Sequence, residues 1–346
     1  MKKITVILPL YELSSDVGRA ILSIKQQNIS DEVELKILDL RNFCTPKSLG
    51  KKKNGNLPDY VKTDKKLAKS KDIENYIGTF DFPFEIIKAN DEFPYLSLNT
   101  VLQSTTSEYI IFLAQNCIFT KNILEKLYIC ATEKSADVLI GNSIKQHGKK
   151  LQVSQITKDI YNNNENLNFK NELSVLFKDS SLYNKLFKTK TIQFANAEFS
   201  KLNAPKNIEF LTSVYANSDN ICIIDSEIYL CDFKPLYEYE HIQDLQYSLE
   251  YADSLLRIVE ITSGINNNRF VNRLISIYIE PLFNKAQKSV DSQLRKKCVE
   301  IYDLLNNAHP ENNSIQKLVS KYPIARQQNY NKVNVILSRA KRKIIH

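Results

Sequence analysis

Several residues that could take part in chemistry stand at or just after the ends of predicted strands. Asp39 ends the predicted strand 33–39 and Arg41 follows it, and Asn116 follows the predicted strand 109–113 by three residues. In an open α/β sheet, ligands bind outside the carboxyl ends of the strands, so residues at these positions are candidates for ligand binding. The alternative for Asp39 is a structural role, in which its side chain caps the turn after its strand.

The widespread catalytic and metal-binding patterns are missing from this sequence. It has no G-x-S-x-G, P-loop or G-x-G-x-x-G motif, and its six cysteines form no C-x-x-C pair. The four histidines are scattered without metal-ligand spacing. We therefore expect the cysteines to be reduced thiols of the core, as in a cytosolic protein.

The chain is basic, which favours anionic partners. Its 346 residues carry a formal net charge of +8. Lysines concentrate in the segment 51–71, and the chain ends in the basic stretch 339–346. These residues could contact phosphates, an acidic polymer or anionic lipid, although a solvated lysine-rich surface explains the same charge. Nucleic-acid binding would rest on net charge alone, and we do not expect it.

The sequence lacks the hydrophobic segments that target or anchor a chain. The apolar-rich run 4–10 is too short for a signal peptide, and no window reaches the length of a membrane-spanning helix. We therefore expect a cytoplasmic protein, with the inner face of the membrane as a further place where it could rest.

The apolar periodicity predicts an α/β arrangement that gives way to helices. A strand at 4–8, a helix at 14–27 and a strand at 33–39 form a βαβ opening, which implies a parallel sheet. The polar, Asn-rich segment 145–170 is expected to be a flexible excursion. Helical stripes dominate after residue 239. Further strands are predicted at 84–88, 109–113, 137–142, 221–225 and 228–233, and further helices at 94–104, 121–132 and 208–216.

Five segments, in this order, resemble family 2 glycosyltransferases. Ile7 to Glu12 resembles the opening I-I-P-V-Y-N of the family. The other four are 21–27, 34–39, 107–113 and the Asn-Lys-Leu-Phe-Lys stretch 184–188. The resemblance implies a GT-A domain at 1–238, a mixed sheet flanked by helices, followed by an all-helical C-terminal domain at 239–346 with a basic tail. The helical part resembles enzymes that glycosylate wall teichoic acid or capsular polymers.

The resemblance assigns roles to residues at the strand ends. The family binds a nucleotide-diphosphate sugar, which for this chain we expect to be UDP-linked. Pro9 and Tyr11 would line the base and ribose pocket, and Asp39 would accept a hydrogen bond from the base. In the family, the carboxylates of an L-D-S-D-D motif hold Mg²⁺ or Mn²⁺, which stabilises the departing diphosphate.

This chain departs from the family at the metal motif. The matching residues run from Leu113 through Ala114, Gln115 and Asn116 to Cys117. Ala114 has no ligand atom, Asn116 offers one neutral carbonyl oxygen at the diphosphate, and Cys117 is a soft ligand. The sequence thus predicts no metal ligands at these positions, and binding of Mg²⁺ or Mn²⁺ has little support.

The family's base and turn motifs are altered as well. Asn207 occupies the position of the Asp that deprotonates the acceptor, and an amide takes no proton at neutral pH. Glu209 lies about 200° further round the helix, so we expect it to point elsewhere. The D-D-G-S turn becomes Asp39-Leu40-Arg41-Asn42, and Arg41 or the lysines of 51–71 could neutralise the diphosphate without metal. The pair Asp91-Glu92 could supply a carboxylate near the sugar, or it could be an exposed loop pair.

Two functional hypotheses follow. In the first, the protein transfers a sugar from a UDP-linked donor to a cell-surface polysaccharide or teichoic-acid-type acceptor, either an anionic polymer or a lipid-linked chain. In the second, the altered carboxylate positions mark an inactive pseudo-glycosyltransferase that binds or scaffolds an active partner glycosyltransferase.

Overall fold

The structure is a computed structural model that divides into two compact units. The first unit comprises the described residues of 1–168, 179–201 and 217–238, and the second those of 169–178, 202–216 and 239–346. The boundary at residue 238 stays a prediction. The residues that the structure describes are 2–11, 13–41, 73–89, 94–147, 150–159, 166–167, 173–199, 207–232, 245–265 and 267–323.

The first unit is built on a mixed sheet, which has ten strands among the described residues. Its main path runs in the order β3-β2-β1-β4-β9-β6-β10-β5, with β7 paired to β6 and β8 paired to β10. The strands are β1 (Ile4–Leu10), β2 (Val33–Asp39), β3 (Phe84–Lys88), β4 (Tyr109–Phe112), β5 (Cys117–Phe119), β6 (Val138–His147), β7 (Lys150–Ser154), β8 (Asn166–Leu167), β9 (Lys185–Lys188) and β10 (Ile221–Asp232).

Helices flank this sheet in the first unit and make up the second. In the first unit they are α1 (Ser15–Lys25), α2 (Ile73–Gly78), α3 (Pro94–Ser104), α4 (Ile123–Glu133), α5 (Ile156–Asp159) and α6 (Thr189–Phe194). In the second they are a 3₁₀ turn (Leu173–Phe177), α7 (Ile208–Ala216), α8 (Leu245–Thr262), α9 (Asn268–Leu274), a π-helical turn (Ile275–Ile279), α10 (Glu280–Lys288), α11 (Ser292–Ala308) and α12 (Asn313–Lys321).

Strand β1 is the centre of the parallel half of the sheet. All seven of its residues are buried, as its continuous apolar sequence requires for a strand covered on both faces. It pairs in parallel with β2 on one side and β4 on the other, and β2 pairs in parallel with β3. The βαβ opening predicted from the sequence is confirmed.

Two local predictions were wrong. The strands expected at 221–225 and 228–233 are one strand, β10, whose register against β6 shifts between Ile223 and Tyr229. The bulge interrupts the alternation of side chains, so the sequence pattern suggested two strands. The excursion expected at 145–170 includes β7, which pairs antiparallel with β6. Residues 151–153 of β7 are all exposed, so this strand lacks the buried apolar face by which a strand is recognised in a sequence.

Gly141 allows β6 to pass close to this bulge. A Cβ atom at residue 141 would lie 2.9 Å from the carbonyl oxygen of Ser226 and 2.8 Å from the side chain of Ile228. Since a backbone atom cannot move aside cheaply, a side chain at this position would push the two strands apart.

A buried ion pair anchors the start of β9. The Lys185 ammonium is fully buried and lies 2.7 Å from an Asp179 carboxylate oxygen and 2.7 Å from the Ser181 carbonyl oxygen. The Asn184 side chain contributes a third acceptor at 3.0 Å. Burial lowers the pKa of Lys185, whereas Asp179 favours its charged form. This network explains how a lysine is accommodated at the buried first position of β9.

Within the second unit, helix α7 is buried along nearly its whole length, from Ile208 to Tyr215. The Glu209 carboxylate accepts a hydrogen bond of 2.5 Å from Ser254 and forms an ion pair with Arg257. Both partners lie on α8. Glu209 therefore joins two helices of this unit, in agreement with the expectation that it points away from the base position.

Among the described residues, no helix is both long enough and apolar enough to cross a bilayer.

Candidate functional site

The carboxyl edge of β1, β2 and β4 gathers the residues singled out in the sequence. Leu10 pairs with Asp39 across β1 and β2, and the Leu40 N–H donates to the Leu10 carbonyl at 2.8 Å. On the other side of β1, the Leu113 N–H donates to the Ile7 carbonyl at 3.0 Å. The segments that follow these three strands therefore meet at one edge, where open α/β sheets bind ligands.

A hydrogen bond joins two of these segments directly. The backbone N–H of Tyr11 donates to the side-chain oxygen of Gln115 at 2.8 Å, and Gln115 is buried. Pro9, two residues before Tyr11, is buried within β1 opposite Leu38. Sequence reasoning missed Gln115, because nothing local to residue 115 indicates a partner 104 positions earlier.

Asp39 and Arg41 form a two-pronged ion pair at the end of β2. Arg41 Nε donates to Asp39 Oδ1 at 2.9 Å, and Arg41 Nη2 donates to Oδ2 at 2.9 Å. The backbone N–H of Arg41 adds a bond of 3.2 Å to Oδ1. A carboxylate has about four acceptor positions, so the three described bonds leave room for one donor from a ligand, on Oδ2.

The environment of this pair keeps Asp39 ionised. Partial burial alone would raise the pKa of Asp39, but the hydrogen bonds and charge of Arg41 outweigh it and lower the pKa below the ordinary value. In turn the hydrogen bond to Asp39 raises the pKa of Arg41. The edge therefore carries a carboxylate and a guanidinium that hold each other in place, and both residues are partly buried.

The residues at the family's metal position form a tight turn between β4 and β5. The Cys117 N–H donates to the Ala114 carbonyl at 2.9 Å, which puts Gln115 and Asn116 at the centre of the turn. The Asn116 side-chain oxygen accepts a hydrogen bond from the Cys117 thiol at 3.7 Å. All four residues are buried.

This donor set does not fit Mg²⁺ or Mn²⁺. Hard divalent cations are usually held by carboxylate oxygens, whereas the side chains of the turn offer only two neutral amide oxygens and a thiol. In the described part of the chain, no three His, Cys, Asp or Glu side chains are grouped so that they could hold a metal ion.

A partly buried cluster of tyrosines and thiols includes Cys117 of the turn. Burial raises the pKa of Tyr183 well above its ordinary value, and the nearby side chains of Tyr11, Cys117, Tyr229 and Cys231 add to the shift. The rings of Tyr183 and Tyr229 pack edge to face with centroids 6.4 Å apart. Tyr183 therefore lies near both Tyr11 and Cys117, a proximity that sequence reasoning missed because residue 183 is distant from both in the chain.

Asn207 belongs to the second unit and begins helix α7. Its backbone has a φ of 62°, in the left-handed region that asparagine tolerates better than most residues. Its carbonyl accepts the Leu211 N–H at 2.9 Å, the first bond of the helix. The role of Asn207 at the base position stays a prediction.

The structure thus gathers Pro9, Tyr11, Asp39 and Arg41 at one edge of the first unit, together with the turn from Ala114 to Cys117. Other candidates lie outside the described residues: the lysines of 51–71, the pair Asp91-Glu92 and the tail 339–346.

Comparison with known proteins identifies the fold. No family model matches the sequence. The crystal structure of Staphylococcus aureus TarS 1–349 in complex with UDP-GlcNAc matches with a TM-score of 0.63 at 15% identity, over 95% of this chain and 88% of that one. This chain has the TarS fold. The predicted α/β GT-A-like sheet with a helical C-terminal region is confirmed.

Two further comparisons extend this likeness. A crystal structure of a longer TarS chain matches with a TM-score of 0.60 at 16% identity over 95% of this chain, which spans only 53% of that one. Among curated proteins, the poly(ribitol-phosphate) β-N-acetylglucosaminyltransferase TarP of S. aureus strain N315 is 24% identical over 339 residues, covering 93% of this chain and 92% of TarP. The resemblance to glycosyltransferases inferred from the sequence is thus supported by both sequence and fold.

Proposed function

We propose that this protein is a glycosyltransferase that takes a sugar from a UDP-linked donor and transfers it to a cell-surface polysaccharide or teichoic-acid-type acceptor. The observation that carries the proposal is the edge formed by Tyr11, Asp39 and Arg41, in a chain with the fold of a protein solved with UDP-GlcNAc. N-acetylglucosamine is therefore the first donor sugar to test.

Asp39 and Arg41 would divide the recognition of the nucleotide between them. The open acceptor position on Asp39 Oδ2 suits an imide N–H of a base such as uracil, because that group is a hydrogen-bond donor. The Arg41 guanidinium is always charged and its planar shape matches phosphate oxygens, so it suits the diphosphate. Asn116 would lie at the diphosphate, where its amide offers a neutral contact.

The acceptor side of the proposal rests on the relative TarP, whose name describes transfer to poly(ribitol phosphate). Such a polymer is an anion, which suits a chain of net charge +8. A lipid-linked acceptor would place the protein at the inner face of the membrane, and we include a cytoplasmic location in the proposal.

The direct test is a transfer assay on the full chain. Purified protein is incubated with UDP-GlcNAc and poly(ribitol phosphate), and sugar transfer is followed by mass spectrometry of the polymer, with EDTA and with Mn²⁺ in parallel. We expect transfer that EDTA does not abolish, since the turn at Ala114–Cys117 does not fit a hard cation. Transfer only with Mn²⁺ would contradict the proposed diphosphate contacts, and no binding of any nucleotide sugar would contradict the function.

The variant Asn207→Asp tests the acceptor side. Aspartate accepts the left-handed backbone of residue 207 as asparagine does, so the helix start is preserved. If residue 207 lies beside the acceptor hydroxyl, a carboxylate there gains a proton acceptor, and we expect kcat to rise about 10-fold or more. Asn207→Gly is the matched control, because glycine also accepts the positive φ but supplies no carboxylate. An unchanged kcat in Asn207→Asp would remove residue 207 from the mechanism.

Nucleotide binding without transfer in every condition would instead support the second hypothesis, a binding or scaffolding partner of an active transferase. The neutral Asn207 is the observation in its favour, and turnover by the unmodified chain would exclude it.

A further inference from the structure

Two cysteines oppose each other on the neighbouring strands β5 and β10. One of them ends the turn Ala114–Cys117, which we call the diphosphate turn because Asn116 is proposed to lie at the diphosphate. Cys117 opens β5, and Cys231 is its direct partner in the antiparallel ladder with β10. Directly opposed residues of such a ladder have Cα atoms about 4.5 or 5.5 Å apart. Both separations lie within the range of about 4.4–6.8 Å that a disulfide spans.

The two cysteines differ in their access to solvent. Cys117 is buried, whereas Cys231 is half-buried, and both are free thiols. Burial raises the pKa of Cys117 well above its ordinary value, and the neighbouring Cys231 adds to the shift. A small oxidant would therefore meet Cys231 first, and Cys117 would act as the resolving thiol.

Cys117 and Cys231 contact residues of the candidate nucleotide site. The Cys117 thiol donates a hydrogen bond to the Asn116 side-chain oxygen, with a sulfur–oxygen distance of 3.7 Å. Tyr183 lies close enough to Cys117 and Cys231 to interact with both electrostatically, and it has the same relation to Tyr11. Oxidation would remove the thiol proton that Asn116 accepts, in the turn that Gln115 ties to Tyr11.

We propose that Cys117 and Cys231 form a redox-sensitive pair, which a peroxide oxidises to a disulfide that alters the diphosphate turn. The Cys231 sulfur attacks one oxygen of hydrogen peroxide and the O–O bond breaks, giving a sulfenic acid and water. The Cys117 sulfur then attacks the Cys231 sulfur, the S–S bond forms, the S–O bond breaks and a second water leaves. Two thiols and one peroxide yield one disulfide and two waters.

Peptide mapping of the oxidised full chain tests the pair. The folded protein is treated with hydrogen peroxide, blocked with iodoacetamide, digested and examined by mass spectrometry. We expect a linked peptide that joins Cys117 to Cys231, absent after dithiothreitol and in Cys231→Ser. The variant Cys130→Ser is the matched control, because Cys130 is also half-buried but lies on α4, and its linked peptide should persist. Burial raises the pKa of Cys298 to about 12, so its alkylation reports unfolding.

Titration of UDP onto the reduced and oxidised chain tests the link to the site. We expect the dissociation constant to rise at least threefold on oxidation and to return with dithiothreitol, whereas Cys231→Ser should not respond. This part rests on the proposed function, but the peptide map does not. A folded chain that forms no Cys117–Cys231 link, or that links either cysteine elsewhere, overturns the pair. Equal UDP affinity in both states overturns its effect on the turn, and no UDP binding in either state overturns the proposed function alone.

Discussion

Substitution of Asp39 by asparagine is the sharpest perturbation of the candidate nucleotide site. The side chain keeps its size and place at the end of β2, but it loses its charge and one of two equivalent oxygens. In the unmodified chain, Arg41 occupies Oδ1 twice and Oδ2 once, leaving one position on Oδ2 for a ligand donor. The amide cannot both satisfy Arg41 and accept from a base.

The size of the effect follows from that one lost bond. A hydrogen bond to a charged group contributes about 1.5–3 kcal/mol. Its loss raises the dissociation constant by about 10- to 150-fold at 25 °C. Because the lost contact is with the base, uridine and UDP should be affected by similar factors.

Isothermal titration calorimetry at fixed ionic strength measures both ligands. The control is Arg41→Gln, which keeps the carboxylate but removes the cation, and it should weaken UDP more than uridine. Circular dichroism and thermal melting establish that each variant is folded. A folded Asp39→Asn chain that binds uridine within threefold of the unmodified chain would refute the assignment of Asp39 to the base.

Three further predictions concern stability. The variant Lys185→Met should lose about 3–5 kcal/mol of unfolding free energy in urea titration, because it leaves the Asp179 carboxylate buried without its cation. The double variant Lys185→Met/Asp179→Leu should recover part of this loss. Equal stability of the single and double variants would contradict the argument. Gly141→Ala should lower the free energy of unfolding by about 1–3 kcal/mol, because the new methyl group meets the Ser226 carbonyl. An unchanged urea midpoint would show that β6 and β10 can separate at this point without loss of stability. Burial lowers the pKa of His309, so its contribution to stability is present above pH 6.5 and is lost as the pH falls below it. The variant His309→Gln should therefore show a weaker dependence of melting temperature on pH between pH 7 and 5. An unchanged dependence in the variant would exclude His309 as its source.

The sequence predicted the parallel half of the sheet well, for a physical reason. β1 and β4 are buried throughout and appear as nearly continuous apolar runs, and β2 is apolar apart from Glu34 and Lys36 before it ends at Asp39. The carboxyl ends of parallel strands share an edge, which is why Tyr11, Asp39 and Asn116 could be expected near one another.

The contacts that tie this edge together were beyond sequence reasoning. The hydrogen bond from Tyr11 to Gln115 and the pairing of Cys117 with Cys231 depend on ladder register across residues far apart in the chain. A one-residue slip would break both. Likewise β10 was predicted as two strands, because the register shift against β6 interrupts the alternation of its side chains.

The buried pair of Lys185 and Asp179 has a consequence for the history of this chain. Either residue alone would be left as an uncompensated charge inside the protein, so neither position can change first without a large loss of stability. Homologous sequences should therefore vary at these two positions together, with lysine and aspartate either both retained or both replaced by uncharged residues. Such covariation between positions six residues apart would show that the packing of β9 constrains both residues together.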